Sequence, residues 1–323
     1  MRKRYDVTAL GELLIDFTEN GMSAQGNALL EANPGGAPCN VLAMLEKLGK
    51  HTAFIGKVGN DQFGKLLKRT IESVGIASEN LVVDEEVNTT LAFVHTYPDG
   101  DRDFSFYRNP GADMMLRKTE IQPFIIESSK IFHFGTLSFT HKEVREASEF
   151  AVKCAKEAGV CISFDPNLRE PLWKNLEDAR KAMAFGFKNC DILKIADNEL
   201  EFFTKEKDFD KAVSMLREEY NIPFICVTLG KEGSRAYYKD KRVCAAPFLQ
   251  EKTIETTGAG DTFTGCMLNY ILEKGLDGLT EEGLKEMLTF ANAGAALITT
   301  RRGALKVMPE KEEIIKEMSK AAG

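Results

Sequence analysis

Short apolar runs of strand length alternate with amphipathic runs of helix length along most of this chain. The strand-like runs are Val7–Phe17, Thr52–Val58, Ile131–Phe134, Val160–Phe164, Ile192–Ile195 and Phe224–Leu229. The helix-like runs are Asn40–Leu48, Gln62–Val74, Glu143–Ala158, Ala179–Phe187 and Lys211–Glu219. This alternation predicts an α/β fold, in which a mostly parallel sheet is covered by helices on both faces. Ligands bind beyond the carboxyl ends of the strands in such sheets, so we expect the functional site there.

One stretch breaks the alternation. Thr90–Tyr97 and Arg102–Arg108 are both rich in β-forming residues, and the segment Pro98–Asp101 between them is a turn signal. The pattern predicts an antiparallel hairpin. Such an insertion could decorate a sheet edge, join two copies of the chain in a homodimer, or cover a site as a lid. We favour the lid, because the polar, turn-rich segment Arg108–Asp113 follows the hairpin.

Composition narrows the class of protein. With 323 residues, of which 43% are hydrophobic, the chain can bury one large core or two smaller ones. A formal net charge of -7 argues against a general nucleic-acid or anionic-membrane binder. Seven cysteines without a CxxC pair argue against a disulfide framework or a zinc site. The apolar N-terminal stretch is interrupted by Gly11-Glu12, which favours a strand over a signal peptide, and we expect a cytoplasmic protein.

The segment Thr256–Thr262 carries two glycines and opens into the apolar run Phe263–Leu272, which has helical spacing. Glycines allow a tight turn and close approach of the backbone to a ligand, and the start of a helix favours an anion such as phosphate. Asp261 would repel a phosphate, but it suits a base that takes a proton from an attacking hydroxyl. The pattern therefore predicts phosphoryl transfer. The alternative is an aspartate that only complements the helix dipole.

Glycine-rich segments can also indicate a phosphate loop, a dinucleotide site or a nucleotide contact. Gly59–Leu66 fits GxxxxGK but ends in leucine where a magnesium-binding hydroxyl is needed, so we interpret it as a turn before a helix. The glycines of Gly258–Gly265 do not fit the dinucleotide pattern GxGxxG, because four residues instead of two separate Gly260 from Gly265. Thr228–Gly233 follows an apolar strand and is a candidate for nucleotide contact, although glycine-rich strand exits are common.

Candidate contacts for a small polar ligand lie near the N-terminus. Gly35 and Gly36 precede a helix, so main chain can lie against a ligand there, and Asn40 offers both a donor and an acceptor. The alternative is a tight loop in which the asparagine only belongs to the helix start. Asp16 ends the first predicted strand, where its carboxylate could accept hydrogen bonds from two sugar hydroxyls or could serve as a turn residue.

The segment Phe164–Arg169 follows a strand and exposes several polar groups. The alternative to a functional role is that Asp165 and Arg169 form an ion pair with each other. The four histidines have no Cys, Asp or His neighbours at ligand spacing, and we assign none of them to catalysis.

Together these segments resemble the ribokinase-like, pfkB-type carbohydrate kinases, over almost the whole chain. Gly35–Asn40 looks like the N-terminal signature of that family, and Glu255–Phe263 looks like its C-terminal signature. Within the family, Phe106–Asp113 and Phe164–Arg169 are similar to the fructokinases, with the 2-keto-3-deoxygluconate kinases next. The resemblance implies a single domain over residues 1–323, built as a three-layer α/β fold with a mostly parallel sheet. It also implies a small β-sheet lid from about residues 17–34 and 89–113.

The resemblance further implies transfer of the γ-phosphate of MgATP to a primary sugar hydroxyl, with fructose as the first choice of acceptor. Asp261 is the implied base, beside an anion hole formed by the amides of Gly258, Ala259 and Gly260. The implied sugar contacts are Asp16, Gly35, Gly36, Asn40, Phe106, Arg108 and Arg169. The implied nucleotide contacts are Thr228, Gly230, Gly233 and Asn292. Glu199 is implied to organise Mg²⁺ through water.

Two positions depart from the family pattern. Ala196 stands where the N-x-x-E segment usually has asparagine, a change also typical of fructokinase-like members. Glu255 stands where the family more often has aspartate near a monovalent cation, so activation by K⁺ stays open. A 2-keto-3-deoxygluconate kinase or another sugar or nucleoside kinase is the alternative within the family. Outside the family, an NAD(P)-dependent oxidoreductase is an alternative, because it shares the α/β alternation. A catalytically silent sugar sensor is another, but it should have lost the base or the glycine turn, and this sequence keeps both.

Overall fold

A computed structural model describes residues 3–96 and 102–321. The predicted turn Pro98–Asp101 lies outside these residues. The strands of the described part are β1 (Tyr5–Leu10), β2 (Leu14–Met22), β3 (Ala28–Gly35), β4 (Thr52–Gly59), β5 (Ala77–Asp84), β6 (Leu91–Thr96), β7 (Arg102–Tyr107), β8 (Ser129–Phe134), β9 (Cys161–Phe164), β10 (Ile192–Ala196), β11 (Phe224–Thr228), β12 (Ser234–Tyr238) and β13 (Lys241–Ala245). Its α-helices are α1 (Ala37–Lys47), α2 (Gln62–Ser73), α3 (Pro123–Glu127), α4 (Lys142–Glu157), α5 (Leu176–Asn189), α6 (Asp197–Thr204), α7 (Phe209–Tyr220), α8 (Ala259–Lys274), α9 (Glu281–Ile298) and α10 (Lys311–Ala321).

The large sheet has the order β13-β12-β11-β10-β9-β8-β1-β4-β5. Seven neighbouring strands of this sheet run parallel, namely β11, β10, β9, β8, β1, β4 and β5. Strands β12 and β13 add an antiparallel hairpin at one edge. Parallel strands need a helical crossover to return to the same end, and those crossovers cover both faces. The predicted mostly parallel α/β fold is confirmed.

Two apolar cores lie on opposite faces of the large sheet, and successive residues of a strand alternate between them. On β10, Ile192 belongs to the core packed against α1, α8 and α9, while Leu193 and Ile195 belong to the core packed against α4, α5 and α7. This alternation is the two-residue period of an extended chain. The result is a three-layer sandwich with the sheet in the middle.

A smaller sheet with the order β3-β2-β6-β7 stands beside the large one. Strands β6 and β7 form the predicted antiparallel hairpin, with Ala92 paired to Phe106. Strand β2 joins them in parallel through β6 and pairs antiparallel with β3. The small sheet therefore uses both chain segments that the family resemblance assigns to a lid.

Several helices begin where a side chain replaces the missing backbone acceptor. Asp61 precedes α2, and its carboxylate accepts from the amide of Gly64 at 2.7 Å. Asn175 and Thr280 do the same for α5 and α9. Such caps satisfy amide groups that the first turn leaves unpaired. The GxxxxGK-like segment Gly59–Leu66 thus forms a capped turn at the start of a helix, in agreement with the interpretation from the sequence.

The predicted strand Val7–Phe17 is wrong as one element, because the chain leaves the large sheet after Leu10 and enters the small sheet at Leu14. Asp16 consequently lies within β2, not at the end of the first strand. Helix α1 begins at Ala37, three residues before the predicted start. None of the helices in the described part of the chain combines the length and apolar character needed to cross a membrane.

Candidate active site

Two cavities lie next to each other beyond the carboxyl ends of the parallel strands. The larger has a volume of about 720 Å³, and the smaller about 110 Å³. Three residues, Gly258, Asp261 and Arg169, line both of them. Since Gly258 and Asp261 belong to the glycine-rich segment, the start of α8 forms part of the boundary between the two spaces.

The smaller cavity gathers the residues expected to contact a sugar. Its lining includes Asp16, Gly36, Asn40, Phe106, Arg108 and Arg169. Gly35 lies directly behind it, because a Cβ atom on Gly35 would come within 2.7 Å of Asp16 Oδ2. Gly36 has a φ of 131° and a Cβ there would lie 2.3 Å from the carbonyl oxygen of Glu12, so only glycine fits.

Asp261 lies buried at this boundary, and each of its two carboxylate oxygens accepts a hydrogen bond from an asparagine. Asn40 Nδ2 donates to Oδ2 at 2.8 Å, and Asn167 Nδ2 donates to Oδ1 at 3.2 Å. Burial raises the pKa of Asp261, which increases its affinity for a proton. Among the described residues nothing donates to the buried oxygen of Asn40, Oδ1. A ligand hydroxyl in the smaller cavity would satisfy that acceptor.

The larger cavity gathers the residues expected to contact a nucleotide. Thr228, Gly230, Gly233 and Asn292 all line it. Asn292 is held by hydrogen bonds from Nδ2 to the carbonyl oxygens of Ala245 and Ala246, at 3.3 and 3.0 Å. A volume of this size lies in the usual range of small-molecule and cofactor sites.

The start of α8 presents main chain to both cavities. Gly258, at a φ of 79°, precedes the helix, and Ala259 and Gly260 form its first turn. The amide of Ala259 makes a long bond of 3.3 Å to the carbonyl of Thr256. Amides in the first turn of a helix have no acceptor within the helix and favour an anion. The segment thus combines a helix start of the kind that favours anions with a buried carboxyl group, Asp261, three residues after Gly258.

Comparison with known proteins decides the family. The model of the pfkB family carbohydrate kinases matches residues 5–311 of this chain. The chain belongs to the pfkB carbohydrate kinase family. It is therefore a phosphotransferase that acts on a sugar hydroxyl, and the sequence-based family prediction is confirmed.

Individual relatives agree with this assignment. The chain is 42% identical over 306 residues to "Probable fructokinase-2" of Arabidopsis thaliana, covering 94% of this chain and 92% of the relative. A fructokinase structure from Xylella fastidiosa with bound ATP superposes with a TM-score of 0.89 at 27% identity, over 100% of both chains. A fructokinase double mutant from Vibrio cholerae O395 with fructose, ADP and potassium superposes with a TM-score of 0.87 at 27% identity, over 98% of this chain and 99% of that one.

The kinase holds Arg108 and Arg169 in very different ways. Arg108 is buried, and its Nε and Nη2 donate to Asp113 Oδ2 at 2.8 and 2.6 Å. Its Nη1 donates to Thr140, so most of its hydrogen-bonding capacity is used within the protein. Arg169 is exposed at the rim of both cavities. The two arginines therefore form no shared pocket of free positive charge.

The structural interpretation of an Asp165–Arg169 pair is wrong. Asp165 is buried and forms an ion pair with Lys194 at 3.2 Å, and it also accepts from Thr264 Oγ1 at 3.2 Å. Arg169 instead donates to the carbonyl of its neighbour, Leu168. The spacing of four residues suggested a local pair, but the chain after β9 is not helical and turns the two side chains apart.

Glu199 lines the larger cavity at the start of α6. Its carboxylate accepts from the amides of Leu168 and Ala196 at 2.7 and 2.9 Å, and burial raises its pKa. Within residues 3–96 and 102–321, no group of three or more His, Cys, Asp or Glu side chains is arranged to hold a metal ion. Mg²⁺ in phosphoryl-transfer sites needs only one or two carboxylates beside phosphates and water. Glu199 and its neighbour Asp197, which both line the cavity, fit that requirement.

Besides Asp197, sequence reasoning missed two further charged residues of the site. Glu12 lines the smaller cavity and accepts from the amide of Ala37 at 2.8 Å, and Lys194 lines the larger one. The available signal was a single charged residue inside or beside an apolar strand, since Lys194 interrupts the otherwise apolar β10. Charged residues are rarely buried without a partner or a function.

The smaller cavity is rich in carboxyl groups. Burial raises the pKa of Glu12 to about 7 and, with the neighbouring Glu255, raises that of Asp16 to about 7. Together with Asp261, three carboxyl groups line this cavity. Such groups accept hydrogen bonds from hydroxyls when ionised, and their negative potential disfavours an anionic ligand.

Proposed function

We propose that this kinase transfers the γ-phosphate of ATP to a primary hydroxyl of fructose. The observation that carries the proposal is that Asp261 lines both cavities, one rich in hydroxyl-binding groups and one of nucleotide size. A base in that position can touch the acceptor hydroxyl while the neighbouring main chain binds the phosphoryl group.

The proposed reaction is a direct in-line transfer. The acceptor oxygen attacks the γ-phosphorus, and its proton passes to the carboxylate of Asp261. The bond between the γ-phosphorus and the bridging oxygen breaks, and ADP leaves with the electron pair. The amides at Gly258–Gly260 stabilise charge on the transferring group, and one such donor typically contributes about 100- to 1,000-fold in turnover.

The nucleotide occupies the larger cavity in this proposal, with Thr228, Gly230, Gly233 and Asn292 beside the adenosine. Asp197 and Glu199 would hold Mg²⁺ through water, and the ion would neutralise charge on the phosphates. Glu199 can take part while keeping its two backbone bonds, because each carboxylate oxygen has a second lone pair.

The charges around the smaller cavity support fructose over 2-keto-3-deoxygluconate. An acidic sugar needs free cations for its carboxylate, but Arg108 is neutralised by Asp113, so that of the two arginines in this lining only the exposed Arg169 at the rim could serve. Glu12 and Asp16 in the same lining would repel the acid when ionised. Names of relatives agree, since the Arabidopsis relative is called a probable fructokinase and the Vibrio structure contains fructose and ADP.

The small sheet is proposed to act as a lid. Asp16 on β2 and Phe106 on β7 extend from this sheet into the lining of the smaller cavity. Closure of such a sheet over the acceptor would exclude water, which otherwise competes for the phosphoryl group.

The opposite side of this sheet is proposed to pair two copies of the kinase. Met22, Leu30 and Tyr107 are exposed apolar residues of its strands. Light scattering should then report a dimer, and a monomer at micromolar concentration would contradict the pairing.

Potassium is proposed as an activator, on the precedent of the Vibrio fructokinase. Glu255 is buried, and its Oε2 accepts from the amide of Gly303 at 3.2 Å. Turnover should rise when KCl replaces tetramethylammonium chloride at equal ionic strength. Equal rates in the two salts would remove K⁺ from the proposal.

Release of ADP measured with fructose, 2-keto-3-deoxygluconate, ribose and adenosine tests the function. We expect the largest kcat/KM for fructose and no reaction without ATP. A preference for the acidic sugar would contradict the charge argument while keeping the kinase assignment. Binding of NAD without binding of ATP would contradict the nucleotide assignment.

A further inference from the structure

Lys194 is a buried cation at the wall of the larger cavity. It is only 5% exposed, and it lies on β10 on the same side of the strand as Ile192, which faces α8. An apolar residue would continue the core at this position. The chain instead places an ammonium group at the carboxyl end of the strand, where it lines the cavity together with Gly260 and Asp261.

An ion pair and the absence of a side chain at position 260 define the position of the ammonium group. Asp165 holds it through both carboxylate oxygens, at 3.3 Å for Oδ1 and 3.2 Å for Oδ2. On the other side, a Cβ atom on Gly260 would lie 3.2 Å from Lys194 Nζ. Glycine at position 260 therefore allows the ammonium group to approach the first turn of α8, which carries the proposed anion hole.

We propose that Lys194 is a catalytic residue of this kinase, whose ammonium group binds the phosphoryl group during its transfer from ATP. This inference rests on the proposed function, because it requires the nucleotide to occupy the larger cavity. Lys194 keeps its proton throughout. The only proton that moves passes from the acceptor hydroxyl to Asp261, as the bond from phosphorus to the acceptor forms and the bond to ADP breaks.

The charges near the cavity support this role. Three carboxyl groups, those of Asp165, Glu199 and Asp261, act on Lys194 and outweigh its burial, so that its pKa is raised. A polyphosphate entering beside three acidic groups meets repulsion unless a cation faces it. Lysine suits that task, because its ammonium group has three N–H donors. The two oxygens of Asp165 occupy at most two of them, which leaves a donor for a phosphate.

The competing explanation is that Lys194 only neutralises the buried Asp165. A double substitution separates the two explanations. Lys194→Met alone leaves a buried carboxylate without its cation, whereas Lys194→Met with Asp165→Asn removes both charges together. If Lys194 binds the phosphoryl group, the double variant stays slow, with kcat reduced by about 100- to 1,000-fold. Recovery of kcat to within tenfold of the unaltered enzyme would overturn the proposal.

A binding measurement gives a readout that needs no turnover and no sugar. Calorimetry with ADP and with a non-hydrolysable ATP analogue measures what the third phosphate adds to binding. We expect Lys194→Met to weaken the ATP analogue by at least tenfold more than ADP. Equal weakening of both nucleotides, or of neither, would contradict contact with the transferred group.

Lys57→Met is the matched control. Lys57 is also a buried lysine, paired with Asp84 and Glu120 at 2.9 Å, and it lines neither cavity. This variant should unfold more readily but should keep the difference in affinity between ADP and the ATP analogue. A loss of that difference in the control would show that any broken buried ion pair has the same effect, and would overturn the proposal. Failure of the unaltered enzyme to bind either nucleotide would instead contradict the proposed function.

Discussion

Replacing Asp261 by asparagine should separate catalysis from folding in this kinase. The carboxylate now accepts one hydrogen bond from Asn40 and one from Asn167. An amide at position 261 can accept only one of them, and its NH₂ group would face an NH₂ group of a neighbour. Rotation of the Asn40 amide resolves that conflict, because its unpaired Oδ1 then becomes the acceptor.

The expected change in stability is therefore small. One donor of Asn40 loses its partner, which costs about 1–2 kcal/mol. The amide carries no charge to bury, and this offsets part of the loss, since burial disfavours the ionised form of Asp261. We expect the free energy of unfolding of Asp261→Asn to lie within about 2 kcal/mol of that of the unaltered enzyme.

The expected change in rate is large. Loss of a general base reduces turnover by about 100- to 10,000-fold, which raises the barrier by about 3–5 kcal/mol. A coupled assay of ADP release with fructose measures kcat, and urea denaturation measures stability. Asp277→Asn, an exposed substitution just after α8, is the matched control. Turnover of Asp261→Asn within tenfold of this control would refute the assignment of Asp261 as base.

Three further predictions concern the smaller cavity. Because burial raises the pKa of Glu12 from 4.5 to about 7, its contribution to stability is present below pH 4.5 and is lost as the pH rises through 7. The free energy of unfolding of Glu12→Gln should therefore match that of the unaltered enzyme at pH 4.5 and exceed it by about 3 kcal/mol at pH 8. The same difference between the two proteins at both pH values would contradict this. Gly36→Ala should lower the melting temperature by several degrees or prevent folding, since its Cβ would meet the carbonyl of Glu12 at 2.3 Å; an unchanged melting temperature would show that the loop adapts. Arg108→Ala should raise the KM for fructose and lower stability by about 3–5 kcal/mol because Asp113 is left buried without its cation, whereas an effect confined to the KM for ATP would contradict its placement.

Local patterns carried most of the fold prediction. The alternation of strand and helix runs located β1, β4, β8, β9, β10 and β11, because these strands lie inside the sheet and read as short apolar runs. It missed the parallel edge strand β5, which is only partly buried. The run Val7–Phe17 failed because apolar residues resume directly after the short interruption Gly11-Glu12, where the chain passes from one sheet to the other. Periodicity has no means of marking a change of sheet when buried residues stand on both sides of the bend.

The site was predictable where backbone chemistry constrains the sequence. Glycines beside a helix start indicated the proposed anion hole, and Asp261 was conspicuous because it sits among donors that favour anions. Lys194 escaped notice since its proposed role depends on Asp165 and Gly260, which are 29 and 66 residues away along the chain. Contacts of that kind follow from the packing of β9, β10 and α8, and no short motif contains them.

The two sheets divide the work of the enzyme in a way that bears on how its specificity could change. Asp16 and Phe106 line the smaller cavity, the proposed acceptor site, from the small sheet, whereas Asp261 lies on α8 and Lys194 on β10 of the large sheet. If the proposed function is right, substitutions confined to the four strands of the small sheet should alter which alcohol is accepted without changing the residues proposed to act on the nucleotide. Exchange of that sheet between relatives is a direct route to kinases with new acceptors.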